Sequence, residues 1–432
     1  MSDTEEHSDT ESSNATESNS DTESDTNSDS GSDSDDYIDK NQGDHNYGDI
    51  IDGRYFLIKK LGYGTFSTIW LSNLIDTELF FAIKVFHCDT ESYESGVSEV
   101  TKINMLQSFG FKMTKLYEVL RFTPLESTSS IPSICLVMDI LTTNVKRLSR
   151  TKNLMTEEFI LRIIKEISTS LNVLLQHGYL YTDLRPENIM VKTNDDVLQA
   201  FKDSYLTFEY SKEYKKICDN ILAEKKYNLS NKKHKKKFNL EKRLASQSHL
   251  CDICDLVLDN IDEIEHNYVL DDNTEIYLID FGTLMENDKK NNNFFVQSRN
   301  YSAPEILVKY PYSYKIDVWS IGCVLYELLT GVYLFEPQHG KTYSTDLNHI
   351  FWIVELLGKF PFYLTQTKDA RNFFYSSGKF KEEITEKDWC IEKSLLADDA
   401  TVSLKTIELL KMLLKIDPKE RPSYERIIEY VS

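Results

Sequence analysis

Glycines and a lysine within residues 62–84 have the types and spacing that can hold phosphate groups. Residues 62–67 read Gly-Tyr-Gly-Thr-Phe-Ser between two candidate strands, and residues without a side chain let a backbone approach phosphate oxygens closely. By itself, such a stretch is more commonly a hairpin that contains glycine. Lys84 ends the run Phe-Ala-Ile-Lys, and a lysine buried in an apolar strand needs an anionic partner. A lysine on an edge strand is the alternative.

Three downstream motifs occur in an order that indicates what these groups do. Asp183 and Asn188 have the D-x-x-x-x-N spacing of a protein-kinase catalytic loop, and residues 280–282 read Asp-Phe-Gly, the magnesium-binding motif. Residues 303–305 read Ala-Pro-Glu, which closes an activation segment. A chance combination of all three in this order is very improbable. From about Tyr55 to the C-terminus, the sequence resembles a eukaryotic-type Ser/Thr protein kinase.

The resemblance implies that Lys84 holds the α- and β-phosphates of ATP and pairs with a glutamate on the next helix. Glu99, in the sequence Ser-Glu-Val, is the best candidate for that glutamate. Glu91 and Glu94 are the alternatives, and both are more typical of a solvated helix face. ATP is therefore the expected phosphate donor.

The same resemblance implies roles for the downstream residues. Asp280 and Asn188 would ligate Mg²⁺ that bridges the phosphates, because hard oxygen ligands suit this ion. Asp183 would accept the proton of the substrate hydroxyl. Arg185, where Ser/Thr kinases usually carry Lys, would neutralise the γ-phosphate. Catalysis of this kind consists mainly of positioning and charge stabilisation.

The adenine pocket is implied in the same way. Residues 139–141 should form the hinge between two lobes, where the backbone meets adenine, with Met138 at the back of the pocket. The predicted nucleotide-binding residues are Gly62, Gly64, Ser67, Ala82, Lys84, Asp139 and Leu141.

Several features resemble one group more closely, the serine/arginine-rich-protein kinases. Residues 61–71 look like the glycine loop of that group, including Ser67 in place of the third glycine. Thr182 stands before the catalytic Asp, where most kinases carry Arg. Residues 333–337 and 346–358 are similar to the segment after the fifth large-lobe helix of the group. Arg/Ser-rich proteins are therefore among the expected protein substrates.

Three positions depart from the pattern of the group. Tyr181 replaces the usual His before the catalytic loop, although an aromatic ring can still pack there and orient the Asp. Ser302 stands where the wider group has Arg before Ala-Pro-Glu. Asn348 replaces an acidic docking residue, while Asp346 and Glu355 keep acids nearby. The substrate-side contacts are therefore expected to differ from those of the group.

The elements that must position these residues follow from hydrophobic periodicity. The candidate strands cover residues 55–61, 67–71, 79–86 and 134–140, and the candidate helices cover 157–177, 318–329, 346–357 and 402–414. The strands are rich in β-branched and aromatic residues, whereas the first helix has a 3.6-residue apolar stripe. A strand-rich part followed by a helix-rich part predicts an α+β fold in two lobes. The small antiparallel-sheet N-lobe and hinge should span 55–141, and the mainly helical C-lobe 142–432.

Two segments fall outside this scheme. Residues 1–48 are mostly Ser, Thr, Asp, Glu and Asn, which predicts a disordered acidic tail. Its serines beside acids suit an acid-directed kinase, but a solvating tail is the simpler interpretation. Residues 192–271 read as an insert like the long spacer of the resembled group. Its residues 212–243 contain 12 Lys and Arg, whereas 244–288 contain none, which is typical of an insertion rather than a core element.

Two motifs within the insert were weighed separately. Cys251 and Cys254 form a C-x-x-C pair near His249 and His266, but one pair without a second is insufficient to indicate zinc. The basic cluster at 232–237 fits a nuclear-localisation or partner-binding patch, or a solvated linker face.

Composition excludes several classes of protein. With 432 residues, 41% of them hydrophobic, the chain can bury a sizeable core and is not wholly disordered. The net charge is -21, with 13 acids and no Lys or Arg in residues 1–36, which argues against direct nucleic-acid binding. No apolar stretch is long enough to predict a membrane span, and the N-terminus resembles no signal peptide. Seven scattered cysteines fit free thiols, so we expect a monomer in the cytoplasm or nucleus.

The leading functional prediction is an active Ser/Thr kinase that uses MgATP. A related kinase directed to other basic or acidic substrates is one alternative, and a pseudokinase scaffold that recruits partners through its tail and insert is another. A scaffold would be free to lose the catalytic groups. All four are present, namely Lys84, Asp183, Asn188 and Asp280.

Overall fold

The computed structural model describes residues 49–75, 77–123, 130–150, 154–193, 196–207, 210–238, 240–241, 245, 268–287, 296–384 and 389–432. The predicted tail and the C-x-x-C pair lie outside these ranges. No helix within them combines the length and apolar character that crossing a membrane requires.

An antiparallel sheet forms the first lobe, as predicted. Its strands are β1 (Ile50–Ile51), β2 (Tyr55–Tyr63), β3 (Ser67–Leu74), β4 (Phe80–Phe86), β5 (Leu116–Phe122) and β6 (Ser133–Met138). They lie in the order β1-β2-β3-β4-β6-β5. Lys84 is opposite Ile69 of β3 on one side and Leu136 of β6 on the other. The lysine is therefore on an inner strand, and the edge-strand alternative is wrong.

Helix α1 (Thr90–Ser108) packs against β4 and β6 of this sheet. It begins after Asp89, whose side chain accepts a hydrogen bond from the backbone N–H of Ser92 at 2.8 Å, a normal N-terminal cap. At Gly96, an added Cβ would lie only 3.1 Å from the Phe86 ring. The glycine thus lets α1 approach the strand that carries Lys84.

The second lobe is mainly helical, which confirms the other half of the predicted α+β fold. The remaining helices are α2 (Val145–Arg150), α3 (Glu157–Gln176), α4 (Asp196–Thr207), α5 (Tyr210–Lys225), α6 (Pro304–Leu307), α7 (Lys315–Thr330), α8 (Thr345–Leu357), α9 (Ile391–Ala397), α10 (Leu404–Leu413) and α11 (Tyr424–Val431). Helix α7 is apolar and buried along most of its length, so it is the centre of this lobe. The amphipathic stripe predicted for 157–177 faces the same core from α3.

Short antiparallel strands bring the chemical motifs together. These strands are β7 (Thr143–Asn144), β8 (Tyr179–Leu180), β9 (Ile189–Lys192), β10 (Glu275–Leu278) and β11 (Met285–Glu286). In the β9–β10 pair, Ile189 lies opposite Leu278, and the next residue, Ile279, donates its N–H to the carbonyl of Asn188 at 3.0 Å. Because the strands are antiparallel, the residue before β9 and those after β10 meet at the same end.

The first helix of the insert is part of the folded core, which corrects the expectation for that segment. Phe201 and Tyr205 of α4 are 3% and 1% exposed, and they cluster with Phe56, Ile58 and Leu71 of the N-lobe sheet. The ring centroids of Tyr205 and Phe80 are 5.6 Å apart. The sequence interpretation failed here because the charge of later insert residues masked a short aromatic face. The lysines at 232–237 are exposed, which leaves both interpretations of that cluster open.

Candidate active site

Lys84 and Glu99 form an ion pair between the sheet and α1. The lysine Nζ lies 2.7 Å from Oε1 and 2.6 Å from Oε2 of the glutamate. Their side chains are only 14% and 9% exposed, so the pair is shielded from water. Glu91 and Glu94 are not in this position, which selects Glu99 among the three predicted candidates.

Asp183 lies at the centre of a set of donors. Its Oδ1 accepts a hydrogen bond from the Ser298 hydroxyl at 2.6 Å, and its Oδ2 accepts one from the Asn188 amide at 3.0 Å. Arg185 Nε is 3.5 Å from the same Oδ2. Burial raises the pKa of Asp183, while the hydrogen bonds from Ser298 and Asn188 and the charge of Arg185 oppose that rise. The charge of Asp280 also raises the pKa of Asp183, so the two carboxylates are close.

Asp280 and Asn188 present oxygen atoms near this carboxylate. Asp280 is exposed and has a left-handed backbone (φ 58°), and its Oδ1 accepts the N–H of Gly282 at 3.2 Å. The Asn188 nitrogen faces Asp183, so its amide oxygen is on the other side of the same group. Within the described ranges, no three His, Cys, Asp or Glu side chains form a metal cluster. Two protein oxygens suit Mg²⁺, which is commonly held together with substrate phosphates.

The glycine loop leaves space that a phosphate group fits. Gly64 donates its N–H to the carbonyl of Ser67 at 2.8 Å, which closes the loop between β2 and β3. An added Cβ at Gly62 would meet no atom within 4 Å, and neither glycine has a positive φ. The local backbone therefore does not require glycine at these positions. Close approach of a ligand remains a reason for it.

The predicted adenine pocket lies where the sheet ends. Ala82 is opposite Met138 in the β4–β6 pair and is 6% exposed. Asp139 follows and donates its N–H to the carbonyl of Lys115 at 3.1 Å, while its carboxylate accepts the Tyr117 hydroxyl at 2.6 Å. These contacts hold the start of the segment that continues to Leu141. The strand itself ends at Met138, two residues before the predicted boundary.

Tyr181 and Thr182 anchor the catalytic loop from behind. Tyr181 is fully buried, its hydroxyl donates to the carbonyl of Ile279, and its ring centroid is 6.2 Å from that of Phe281. Thr182 has φ 69°, a left-handed conformation that costs a β-branched residue on the order of 1–3 kcal/mol. The Asp317 carboxylate accepts the N–H groups of both residues, at 3.2 Å and 3.0 Å. An aromatic ring thus does pack at the usual His position.

Asp317 is itself unusual because it is a carboxyl group in the core. Burial raises its pKa to about 7, although the two backbone hydrogen bonds act in the opposite direction. Its contacts hold the strained turn at Thr182 in one conformation. Sequence reasoning did not single out this residue.

The end of the activation segment is tied to the C-lobe. Glu305 of the Ala-Pro-Glu motif and Arg421 form a bidentate ion pair at 2.7 Å and 2.8 Å, and both side chains are 0% exposed. Ser302 is also fully buried, and its hydroxyl donates to the carbonyl of Ser298 at 3.3 Å. A serine therefore fits where the wider group has Arg, because the site has no exposure to solvent.

The acids expected for substrate docking do not form one open patch. Asp346 forms an ion pair with Arg299, which cancels part of its charge. Asn348 accepts the N–H of Gln338 at 2.8 Å through its side-chain oxygen, so it has a structural contact. Glu355 is partly exposed on α8.

Two residues near the site escaped the sequence analysis. Ser298 contacts Asp183, although only its position five residues before Ala-Pro-Glu could have suggested it. Lys102, three residues after Glu99 on α1, donates from Nζ to the carbonyl of Gly282. That contact joins α1 to the segment that begins with Asp280, and nothing in local periodicity predicts it.

A two-lobed fold with a buried Lys–Glu pair, a donor-bound Asp and a neighbouring Asp-Phe-Gly turn defines the protein kinases. The chain belongs to this family: the protein kinase domain model matches residues 55–237 and 262–431. The break between the two matched parts confirms an insert and makes it narrower than the predicted 192–271. A crystallised kinase domain with 18% identity and a TM-score of 0.57, covering 90% of this chain and 98% of that one, has the same fold.

The relatives are serine/threonine kinases. Kinase L205 of Acanthamoeba polyphaga mimivirus is 25% identical over 483 residues, which cover 89% of this chain and 88% of that protein. SRSF protein kinase 3 of Mus musculus is 39% identical over 102 residues, which cover only 23% of this chain and 18% of that protein. This chain is thus a protein serine/threonine kinase, and its resemblance to the serine/arginine-rich-protein kinases is confirmed.

Proposed function

We propose that this kinase transfers the γ-phosphoryl group of MgATP to Ser or Thr hydroxyls, with Asp183 as the proton acceptor, and that Arg/Ser-rich proteins are among its substrates. The observation that carries the catalytic part is the environment of Asp183. Three groups stabilise its charged form, and the Lys84–Glu99 pair is formed at the same time. Similarity to an SRSF protein kinase supports the substrate class.

Each group in the cleft has a part in the transfer. Lys84 holds the α- and β-phosphates, while Arg185 balances charge at the γ-phosphate. Asp183 takes the proton of the substrate hydroxyl as that oxygen bonds to the γ-phosphorus and the bond to the β-phosphate oxygen breaks, which releases ADP. When bound by Asp280 and Asn188, Mg²⁺ supplies charge neutralisation on the phosphate oxygens.

A pseudokinase scaffold is the alternative, and the preserved geometry favours the enzyme. Lys84, Glu99, Asp183 and Asn188 are paired with one another as phosphotransfer needs. A scaffold requires none of these contacts.

The test is loss of turnover on removing either carboxylate. We expect Asp183→Asn and Asp280→Ala to reduce phosphorylation of protein or peptide substrates by roughly 10²- to 10⁴-fold, the scale of one positioned acid–base group. Asp369→Asn is the matched control, because this carboxylate pairs with Lys309 on the surface. Radiolabelled phosphate transfer measures the rates. Wild-type turnover in both variants would support the scaffold instead.

A further inference from the structure

Lys146 of α2 lies in a buried acidic pocket of the C-lobe. Its ammonium forms an ion pair with Glu327 of α7, and the two side chains are 11% and 0% exposed. The same ammonium lies 3.8 Å from the centre of the Tyr333 ring. The Tyr301 hydroxyl donates to the other oxygen of Glu327 at 2.6 Å. The cation is therefore enclosed by a carboxylate and an electron-rich aromatic face, both of which favour positive charge.

A second carboxylate belongs to this pocket. Helix α2 packs against the turn Pro186–Asn188, which carries Glu187. Glu187 Oε2 is buried and has no hydrogen-bond partner. Burial raises the pKa of Glu327, and the charge of Glu187 adds to that rise, whereas Lys146 and Tyr301 oppose it. One ammonium thus serves two acidic side chains.

The pocket adjoins the place where a substrate must bind. Glu187 follows Asp183 by four residues, and Tyr301 follows Ser298, which contacts Asp183, by three. A substrate hydroxyl has to reach Asp183 to lose its proton. Because an extended peptide advances about 3.3 Å per residue, the residues that flank the acceptor pass within a few positions of this pocket.

We propose that Lys146 is a built-in substitute for a substrate arginine. Its ammonium fills an acidic pocket that would otherwise accept a basic side chain flanking the phosphorylated Ser or Thr. The inference rests on the proposed function, because it assumes that peptide substrates bind at Asp183. A guanidinium has a planar fork that can meet two carboxylates at once, whereas a lysine is a point charge. The pocket formed by Glu187 and Glu327 is therefore closed to arginine as long as Lys146 occupies it.

A purely structural role is the competing explanation. Removing one partner of a buried ion pair leaves an uncompensated charge and destabilises the fold. Such a loss would weaken all peptide complexes to a similar degree. Opening a pocket would instead strengthen binding only of peptides that carry arginine at one particular position.

The experiment compares peptide affinity in Lys146→Met and the wild type by fluorescence anisotropy. The peptides carry Ala in place of the acceptor and one Arg moved through the three positions on each side, and an Arg-free peptide is the reference. We expect one position to bind the variant roughly tenfold or more tightly than the reference, the scale of a hydrogen bond to a charged group. The wild type should show no such preference at that position.

Two further variants identify the carboxylate and control for the loss of a lysine. Lys146→Met combined with Glu327→Gln should lose the gained preference, because the amide does not attract a guanidinium. Lys411→Met removes a lysine from an exposed pair with Glu392 and should leave all affinities unchanged. A folded Lys146→Met protein with no preference at any position would overturn the proposal.

Stability and catalysis are measured separately so that each failure is distinguishable. If Lys146→Met is insoluble, Lys146→Gln replaces it, and methylguanidine should raise the melting temperature of the Gln variant but not of the wild type. No such shift, together with no Arg preference, would also overturn the proposal. Because the peptides lack an acceptor hydroxyl, their binding does not depend on turnover. Loss of the proposed function would appear as absent phosphorylation of Ser peptides by the wild type.

Discussion

Asp183 shows how single residues set the chemistry of the site. Burial raises the pKa of its carboxyl group, and the largest opposing contribution is the hydrogen bond from Ser298. A base must be deprotonated to accept a proton, so this hydroxyl keeps Asp183 active at lower pH. A phosphate on Ser298 would instead place negative charge against the carboxylate. The position therefore suits a hydrogen-bonding serine better than an activating phosphorylation site.

Ser298→Ala should change the pH dependence of the reaction. Without the donor the charged carboxylate is less stabilised, so its pKa rises and the acidic limb of kcat/KM moves to higher pH. The measurement is the pH profile of kcat/KM for a peptide substrate. Ser377→Ala, an exposed serine distant in sequence, is the control and should reproduce the wild-type profile. An unmoved acidic limb in Ser298→Ala would show that this contact does not tune the base.

At the scale of elements, helix α4 couples the insert to the N-lobe. Its aromatic face covers Phe56 and Ile58 of β2 and Leu71 of β3, and Ile140 of the hinge segment packs against the same cluster. A sheet face left bare would expose these apolar side chains to water. Helix α4 thus acts as a cover for the lobe that holds the glycine loop.

Phe201→Ala should therefore destabilise the kinase although it lies outside the cleft. Deleting a buried phenylalanine ring costs about 3–5 kcal/mol of unfolding free energy. Urea denaturation followed by tryptophan fluorescence measures the change. Leu229→Ala is the control, because Leu229 is 42% exposed and should change stability by about 0.5 kcal/mol or less.

The same helix sets which deletions the chain tolerates. Removing residues 208–267 keeps α4 and should preserve ATP turnover, whereas removing 203–267 also deletes Tyr205 and should destabilise the N-lobe. Equal stability of the two deletions would contradict a structural role for α4.

For the whole molecule, charge governs which substrates approach. The chain has a net charge of -21, so its field attracts basic peptides at long range. Close to the cleft the effect is smaller, since Asp346 is paired with Arg299. Long-range attraction and local contact can therefore be separated by salt and by mutation.

We expect KM for Arg-Ser peptides to rise with salt, because ions screen the attraction, and KM for acidic peptides to fall. Glu355→Lys should raise KM for Arg-Ser peptides more than it lowers kcat. Steady-state kinetics at several salt concentrations measure both effects. Glu429→Lys, at an exposed pair with Arg426 on α11, is the matched charge reversal and should have little local effect. If acidic peptides react as well as Arg-Ser peptides, the proposed substrate class is wrong.

The sequence alone determined the residues that carry the reaction and the class of fold. The catalytic loop and the Asp-Phe-Gly turn are short, contiguous motifs, because the chemistry requires given residue types at a fixed local spacing. The stripe in α3 and the alternation in the first strands are local as well, since the periods of 3.6 and 2 follow from backbone geometry. For these reasons the lobes and the Asp183, Asn188 and Asp280 constellation could be predicted.

The tertiary structure decided the contacts between distant residues. Ser298 meets Asp183 across 115 positions, and Lys146 meets Glu327 across 181. No local period links such pairs, because the packing of strands and helices brings them together. The same reason explains α4, whose aromatic face has meaning only once the N-lobe sheet exists to receive it. A lysine or a serine becomes functional here through its neighbours in space, which the order of residues does not specify locally.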